Sequence, residues 1–202
     1  SNTQPFQWKK YETSVKYTFI LDSIKGKSDN VYNRLSSSTR KNIKKATKLI
    51  NVDTSNEVET LIDLSNQTFS RQGFENPYSA NTVKTLFEEI QKKKSGKLLI
   101  AKDEQGHTHA AMLLIWDNRA AYYLIGGADT RFRNSEAMSL LMWKSIKLAS
   151  DKVDIFDFEG TMVESVERFF RGFGGVQTPY YQLVKATPKW LKSIFKLRLD
   201  IS

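Results

Sequence analysis

The spacing of apolar residues changes several times along the chain, and each change marks an element. Residues 15–22 (VKYTFILD) alternate and are rich in β-branched and aromatic side chains, which predicts a strand. Residues 26–30 read as a turn. Ser36, Ser37, Ser38 and Thr39 offer capping hydroxyls for a helix through RKNIKKATKLI. Its apolar stripe (Ile43, Ala46, Leu49, Ile50) is narrow. Residues 51–55 predict a short strand. A helix from Glu57 to about Arg71 follows, with Val58, Leu61, Ile62, Leu64 and Phe69 on its stripe and Gly73 at its end. The next helix covers residues 80–93, with Val83, Leu86, Phe87 and Ile90 on one face.

Three strands come next at hairpin spacing, over residues 97–102, 108–116 and 120–127. A helix from about Ser135 to Ser150 buries Met138, Leu141, Met142, Ile146 and Ala149. Residues 153–158 (VDIFDF) form a strand. The helical connection makes that strand parallel to 120–127. A short helix lies within 160–171, a glycine-rich turn at 172–175, a last strand at 178–186 and a terminal helix at 188–197. From Asn51 the order is β-α-α-β-β-β-α-β-α-β, an α/β fold with a mixed central sheet flanked by helices. Residues 1–50 precede it as a strand and a basic helix.

The chain has 202 residues, of which 40% are hydrophobic and 12% aromatic, enough for a real core. That length favours one domain, or one domain and part of a second. No apolar run is long enough to span a membrane. The first residues lack the charged and apolar regions of a signal peptide, so the expectation is a cytoplasmic protein. The absence of cysteine removes disulfides, thiolate catalysis and Cys-based zinc sites. The net charge of +9 suits nucleic acid, lipid headgroups or an anionic cofactor, and equally a merely solvated basic surface.

Two histidines, His107 and His109, flank Gly106. Strand positions i and i+2 share a side, but no further residue at ligand spacing completes a metal set. Neither histidine sits at a strand end facing the crossover helix. A His-centred zinc site and a Ser-His-Asp hydrolase are therefore excluded.

Residues 121–149 run from a strand into Gly126 and Gly127, through a polar loop with Arg131 and Arg133, to a helix start at Asn134 or Ser135. Helix-start amides and nearby arginines attract an anion, and strand-end glycines let a ligand approach the backbone. An ordinary capped connection with a basic surface loop fits the same residues. In FDFEG, Asp157 and Glu159 share one side at the carboxyl end of a parallel strand, where ligands bind in open α/β sheets. A carboxylate there could take a proton from an attacking amine, or could serve only as a helix cap or ion pair. In ERFFRGFGG, Arg168 and Arg171 could neutralise phosphate, and the glycine turn needs φ > 0 or close backbone contact. A core-anchored turn is the other reading.

The order of elements matches the GNAT acetyltransferase fold. The text Y-L-I-G-G, N-S-E-A-M-S-L-L-M-W-K-S-I-K-L-A, F-D-F-E-G and V-E-R-F-F-R-G-F-G-G resembles the GNAT lobes of the Fem-type peptidyltransferase superfamily and its bacterial acetyltransferase relatives. Their pattern is a strand with Y-L-x-G, a helix ending W-x-x-I-x-x-A, a strand with D-F-x-G, then F-K/R-x-x-F-G-G. The stretch S-S-S-T-R-K-N-I-K-K-A is similar to their T-R-x-N-I-x-K-A helix. The resemblance spans roughly residues 15–186. It departs at the loop where GNAT enzymes carry Arg/Gln-x-x-Gly-x-Gly/Ala. Arg131 is present, but Asn134 and Glu136 replace the glycines, and Glu136 would repel a pyrophosphate that it faced.

The resemblance implies direct transfer of an acyl group from acetyl-CoA or another acyl-CoA to a small-molecule or peptide amine, with no covalent enzyme intermediate and no metal. Its donor site would comprise Ile125, Gly126, Gly127, Arg131, Arg133, Asn134, Ser135, Arg168 and Arg171. The amine proton would pass to Asp157 or Glu159, and Tyr180 or Tyr181 would protonate the leaving group. One alternative is a Fem-like aminoacyltransferase that meets charged tRNA through Arg40, Lys41, Lys44, Lys45 and Lys48. Another is a binding module that keeps the fold without catalysis. Fem-type enzymes are two-lobed, so residues 1–50 would be the tail of a preceding lobe and 51–202 the transferase domain.

Overall fold

The computed structural model describes residues 2–160 and 163–185. Its elements are α1 (Gln4–Trp8), β1 (Glu12–Leu21), α2 (Ser28–Arg34), α3 (Ser37–Ala46), β2 (Asn51–Ser55), α4 (Val58–Arg71), α5 (Ala80–Lys93), β3 (Gly96–Lys102), β4 (Thr108–Trp116) and β5 (Ala120–Ala128). A 3-10 helix (Thr130–Ser135), α6 (Ala137–Ser150), β6 (Ile155–Gly160), α7 (Glu164–Gly172) and β7 (Val176–Val184) complete them. The helix expected at 188–197 lies outside the described residues.

The strands form one seven-stranded sheet in the order β2-β3-β4-β5-β6-β1-β7. β5 and β6 are parallel, as a helical crossover requires, and every other neighbouring pair is antiparallel. On one face α4 and α5 cover β3, β4 and β5, burying Leu61, Leu64, Phe87, Leu98, Leu113 and Ile125. On the other, α3, α6 and α7 enclose a core of Ile43, Leu141, Met142, Phe156, Phe158 and Phe170. The face assignments follow from strand alternation: Phe156 and Phe158 enter the second core, so Asp157 faces the α4/α5 side.

Three features differ from the sequence expectation. Residues 28–34 are helical rather than a turn. Their polar sequence hides this, because the helix depends on distant partners. Val31 is fully buried, and Arg40 Nη1 donates to the carbonyls of Asn33 and Leu35 at 3.1 and 2.8 Å, closing the end of α2. α6 begins at Ala137, two residues after Ser135, because the loop before it coils as a 3-10 helix. Finally, β1 lies inside the sheet between β6 and β7, pairing with β7 from Glu12↔Val184 to Ile20↔Val176. Phe19, Leu21, Ile43 and Ile50 share a core with Phe156 and Ile146.

Gly127 fixes how closely α4 approaches the sheet. A Cβ at this position would overlap the Leu64 carbonyl and stand 2.5 Å from the Ser65 nitrogen. Backbone atoms cannot step aside as a flexible side chain can. Gly127→Ala is therefore expected to destabilise the fold by roughly 1–3 kcal/mol through overpacking. A urea unfolding midpoint measured beside wild type checks this.

Candidate active site

Parallel pairing between β5 and β6 covers only Ala120↔Ile155, Ala121↔Phe156 and Tyr122↔Asp157. Beyond that point no strand among the described residues pairs with this edge of β5. Along its other edge β5 carries a bulge: Leu113 faces Ile125 and Leu114 faces Tyr123, leaving Leu124 as the extra residue. Bulges bend a strand and strengthen its twist. β5 is also drawn towards α4, where Thr68 Oγ1 accepts the Ala128 amide at 3.1 Å. β6 is held away by β1 through Thr18↔Gly160. A V-shaped cleft results, with the backbone of β5 on one wall and the end of β6 on the other.

Both carboxylates from the FDFEG segment stand at the β6 wall, but in different roles. Asp157 Oδ1 accepts the Thr18 hydroxyl and the Glu159 amide, the latter at 2.9 Å. That pairing locks Asp157 as a brace for the strand end. Glu159 takes a left-handed backbone conformation, φ 62, which a non-glycine residue adopts only under constraint. Burial, and then the Asp157 charge beside it, raise the Glu159 carboxyl above its ordinary value.

Tyr180 joins this pair and Tyr181 does not. The Tyr180 hydroxyl lies 3.0 Å from where a Cβ on Gly160 would stand. Burial first, then the charges of Glu159 and Asp157, raise its pKa, so it keeps its proton at neutral pH. Tyr181 follows it on β7 and points to the opposite face. One residue that the sequence reading passed over is Tyr123, at the point where the strands part. Burial pushes its hydroxyl up to about 12, and its ring packs against Phe170 at 6.0 Å. Its signal was the first letter of the Y-L-I-G segment, read there only as a strand marker.

The expected donor residues are distributed differently. The Ile125 side chain is buried in the α4/α5 core, which leaves only its backbone for the cleft. The space beside the two glycines is filled by the protein: Gly127 faces α4, and a Cβ on Gly126 would overlap the Tyr123 hydroxyl and stand 2.6 Å from its ring. The side-chain space at both glycines is thus taken by the protein, which leaves their backbone for the cleft. Arg131 is bound to the buried Asp129 through Nη2 at 2.8 Å and Nε at 3.1 Å. Arg133 and Asn134 are exposed on the 3-10 turn, and Ser135 Oγ accepts the Ala137 amide at 3.3 Å. Glu136 sits at the start of α6 with φ 60, at the sequence position of the second loop glycine. Arg168 pairs with Glu164 at 2.5 Å, and Arg171 Nε with Glu167 at 3.0 Å, each along the exposed side of α7. The turn after them is anchored in the core: Ser36 donates to the Gly172 carbonyl at 2.9 Å, and Gly175 packs on Phe158 and Phe19. In the basic helix Arg40 is occupied in capping α2, while Lys41, Lys44, Lys45 and Lys48 are exposed.

The histidines tie this loop to the β3–β4 turn. Asp103 Oδ2 meets His107 Nδ1 at 3.0 Å and His109 Nε2 at 3.1 Å. The Phe132 ring stacks on His109 at 4.1 Å, with planes 7° apart. Among the described residues no helix is long and apolar enough to cross a membrane.

A family model described as an acetyltransferase (GNAT) domain matches residues 33–171. Among solved structures, FemX superposes with a TM-score of 0.73 at 14% identity, over 90% of this chain and 63% of that one. L-PGS from Bacillus licheniformis gives 0.61 at 12% identity, over 98% and 69%. A possible acetyltransferase from Clostridium difficile 630 gives 0.54 at 10% identity, over 68% and 97%. At these identities the likeness is one of fold. The chain spans less than two thirds of the FemX chain's length. No curated protein is significantly similar to it in sequence.

Burial opposes ionisation of Asp103, but hydrogen bonds from His109 and His107 outweigh it and hold the carboxyl at about 2. A depressed carboxyl contributes stability that is present above its unfolded value of about 4 and is lost as pH falls through the folded value. Melting temperature is expected to drop between pH 4 and pH 2, and Asp103→Asn is expected to flatten that limb. A pH series of thermal melts on both proteins measures it.

Proposed function

The chain belongs to the acetyltransferase (GNAT) domain family, a family of acyltransferases, and from this premise we propose that it moves an acyl group to an amine within the cleft between β5 and β6. The observation that carries the reading is the parting of these strands after Tyr122↔Asp157, which puts an unpaired backbone edge opposite the Glu159 carboxyl at the end of β6.

In this reading the donor lies along β5. A backbone N–H near Ile125, Gly126 and Gly127 receives the carbonyl oxygen and stabilises its developing charge. The amine nitrogen attacks the carbonyl carbon, and a C–N bond replaces the C–S or C–O bond to the donor. Glu159 takes the amine proton. The Tyr180 hydroxyl returns a proton to the departing thiolate or alkoxide, its raised pKa keeping it protonated until then. Asp157 positions Glu159 through the amide it accepts.

An acyl-CoA is the donor the family membership favours. A second reading, an aminoacyl ester carried on tRNA, draws on the loop before α6. There Arg131 is neutralised by Asp129, and Glu136 puts a carboxylate at the helix start where a pyrophosphate would otherwise bind. Binding of acetyl-CoA by calorimetry supports the first, and salt-sensitive binding of charged tRNA the second.

Glu159→Gln is expected to lower turnover by about 10²–10⁴-fold. The acid limb of kcat/KM should lie above the usual carboxylate value of about 4.3, and the variant should lose it. Steady-state rates across pH with an acyl donor and a primary amine read both effects. Unchanged turnover in Glu159→Gln would remove the assigned base. A wild type that binds donor without turnover would leave only a binding module.

A further inference from the structure

The cleft leaves one basic and aromatic feature unused. Between α3 and α6, on the face opposite α4 and α5, lies a groove of about 440 Å³. Ile43 and Leu140 form its floor, with the rings of Tyr32 and Trp143, whose centroids stand 5.1 Å apart at 58°. Lys44 of α3, Lys48 in the turn after it and Lys144 of α6 stand at its rim. A space of this size suits a small ligand.

The charges here are uncompensated. Lys44, Lys48 and Lys144 are exposed, and none joins an ion pair among the described residues. Like charges gathered at one rim repel one another, a cost that a bound anion relieves. Lys41 and Lys45 extend the positive edge along the same helix. Tyr32 and Trp143 keep part of their rings open to solvent. A flat ring can stack there while its charges meet the lysines.

We propose that this groove binds the phosphorylated nucleotide portion of a ligand, with the base against Trp143 and Tyr32 and the phosphates among Lys44, Lys48 and Lys144. Leu140 follows Ala137 by about 4.5 Å of helical rise, so the groove begins within one turn of the start of α6. It supplies anion recognition next to a loop whose Arg131 is already paired. That the nucleotide is the acyl donor's own handle rests on the transferase reading, whereas the binding itself does not. The same chemistry is offered by the adenosine 3′,5′-bisphosphate of a coenzyme A and by the 3′ end of an RNA.

The test is a calorimetric and tryptophan-fluorescence titration of the full chain with adenosine 3′,5′-bisphosphate and, separately, with the single-stranded RNA trimer CCA, at low and high salt. Saturable binding of one of them is expected, weakening as salt rises. Affinity should fall at least about tenfold in the triple variant Lys44→Gln/Lys48→Gln/Lys144→Gln, whose melting temperature should match wild type because these side chains are exposed. Trp143→Phe, which keeps a ring, should bind better than Trp143→Leu in the calorimeter. Tighter binding of the bisphosphate identifies a coenzyme source, and tighter binding of the trimer an RNA source. The proposal fails if neither probe saturates, if the triple variant binds as wild type does, or if salt has no effect. Because binding is read without turnover, an inactive cleft leaves this result standing. Transfer from an acyl-pantetheine, which carries no nucleotide, tests the cleft independently of the groove.

Discussion

The two halves of the sheet are joined by a short parallel ladder, Ala120↔Ile155 to Tyr122↔Asp157, and are then pulled apart. On one side β5 is drawn against α4, where Gly127 allows backbone contact and Thr68 takes the Ala128 amide. On the other side β6 is claimed by β1, and the Thr18 hydroxyl is bound to Asp157. The bulge at Leu124 supplies the bend between these pulls. An unpaired strand edge is ordinarily a liability. Here it is confined to one end of the ladder, beyond Tyr122↔Asp157.

Charge in the molecule is sorted by this division. At the cleft the Asp157 carboxylate accepts the Glu159 amide. Three of the arginines expected to meet phosphate are paired with near neighbours: Arg131 with Asp129, Arg168 with Glu164, Arg171 with Glu167. The exposed pairs on α7 add little stability. They do remove from the phosphate inventory side chains that composition alone would count. Lys41, Lys44 and Lys45 of α3, with Lys48 and Lys144 beside them, are exposed and join no ion pair among the described residues.

Much of the fold was legible because the relevant periodicities are local. The strands β3 and β4 are short apolar runs at hairpin spacing, and most of the stripe residues of α4 and α5 are buried, Leu86 being exposed and Phe69 half-buried. The place of β1 was not legible, since its partners lie well over a hundred residues away and strand pattern carries no address. α2 was missed because Ser28, Asp29 and Asn30 look like turn residues, while the helix is fixed by buried Val31 and by Arg40. At the site, alternation puts Asp157 on the side of β6 opposite Phe156 and Phe158, but it cannot show the left-handed turn of the backbone at Glu159. What packs against Gly126 and Gly127 was not legible for a related reason. A glycine says that something comes close, but the sequence does not say whether that is a ligand or the protein itself.

The position of β1 also bears on the order in which the molecule can assemble. Residues 12–21 are made early, yet both edges of this strand wait for β6 and β7, which emerge late from the ribosome. The hairpins β3–β4 and β4–β5 close short loops and can form first, whereas β1 must close loops that span most of the chain. Such non-local pairing slows folding. The brace at Asp157 needs Thr18 from β1, so the cleft acquires its finished wall only once these distant segments have paired.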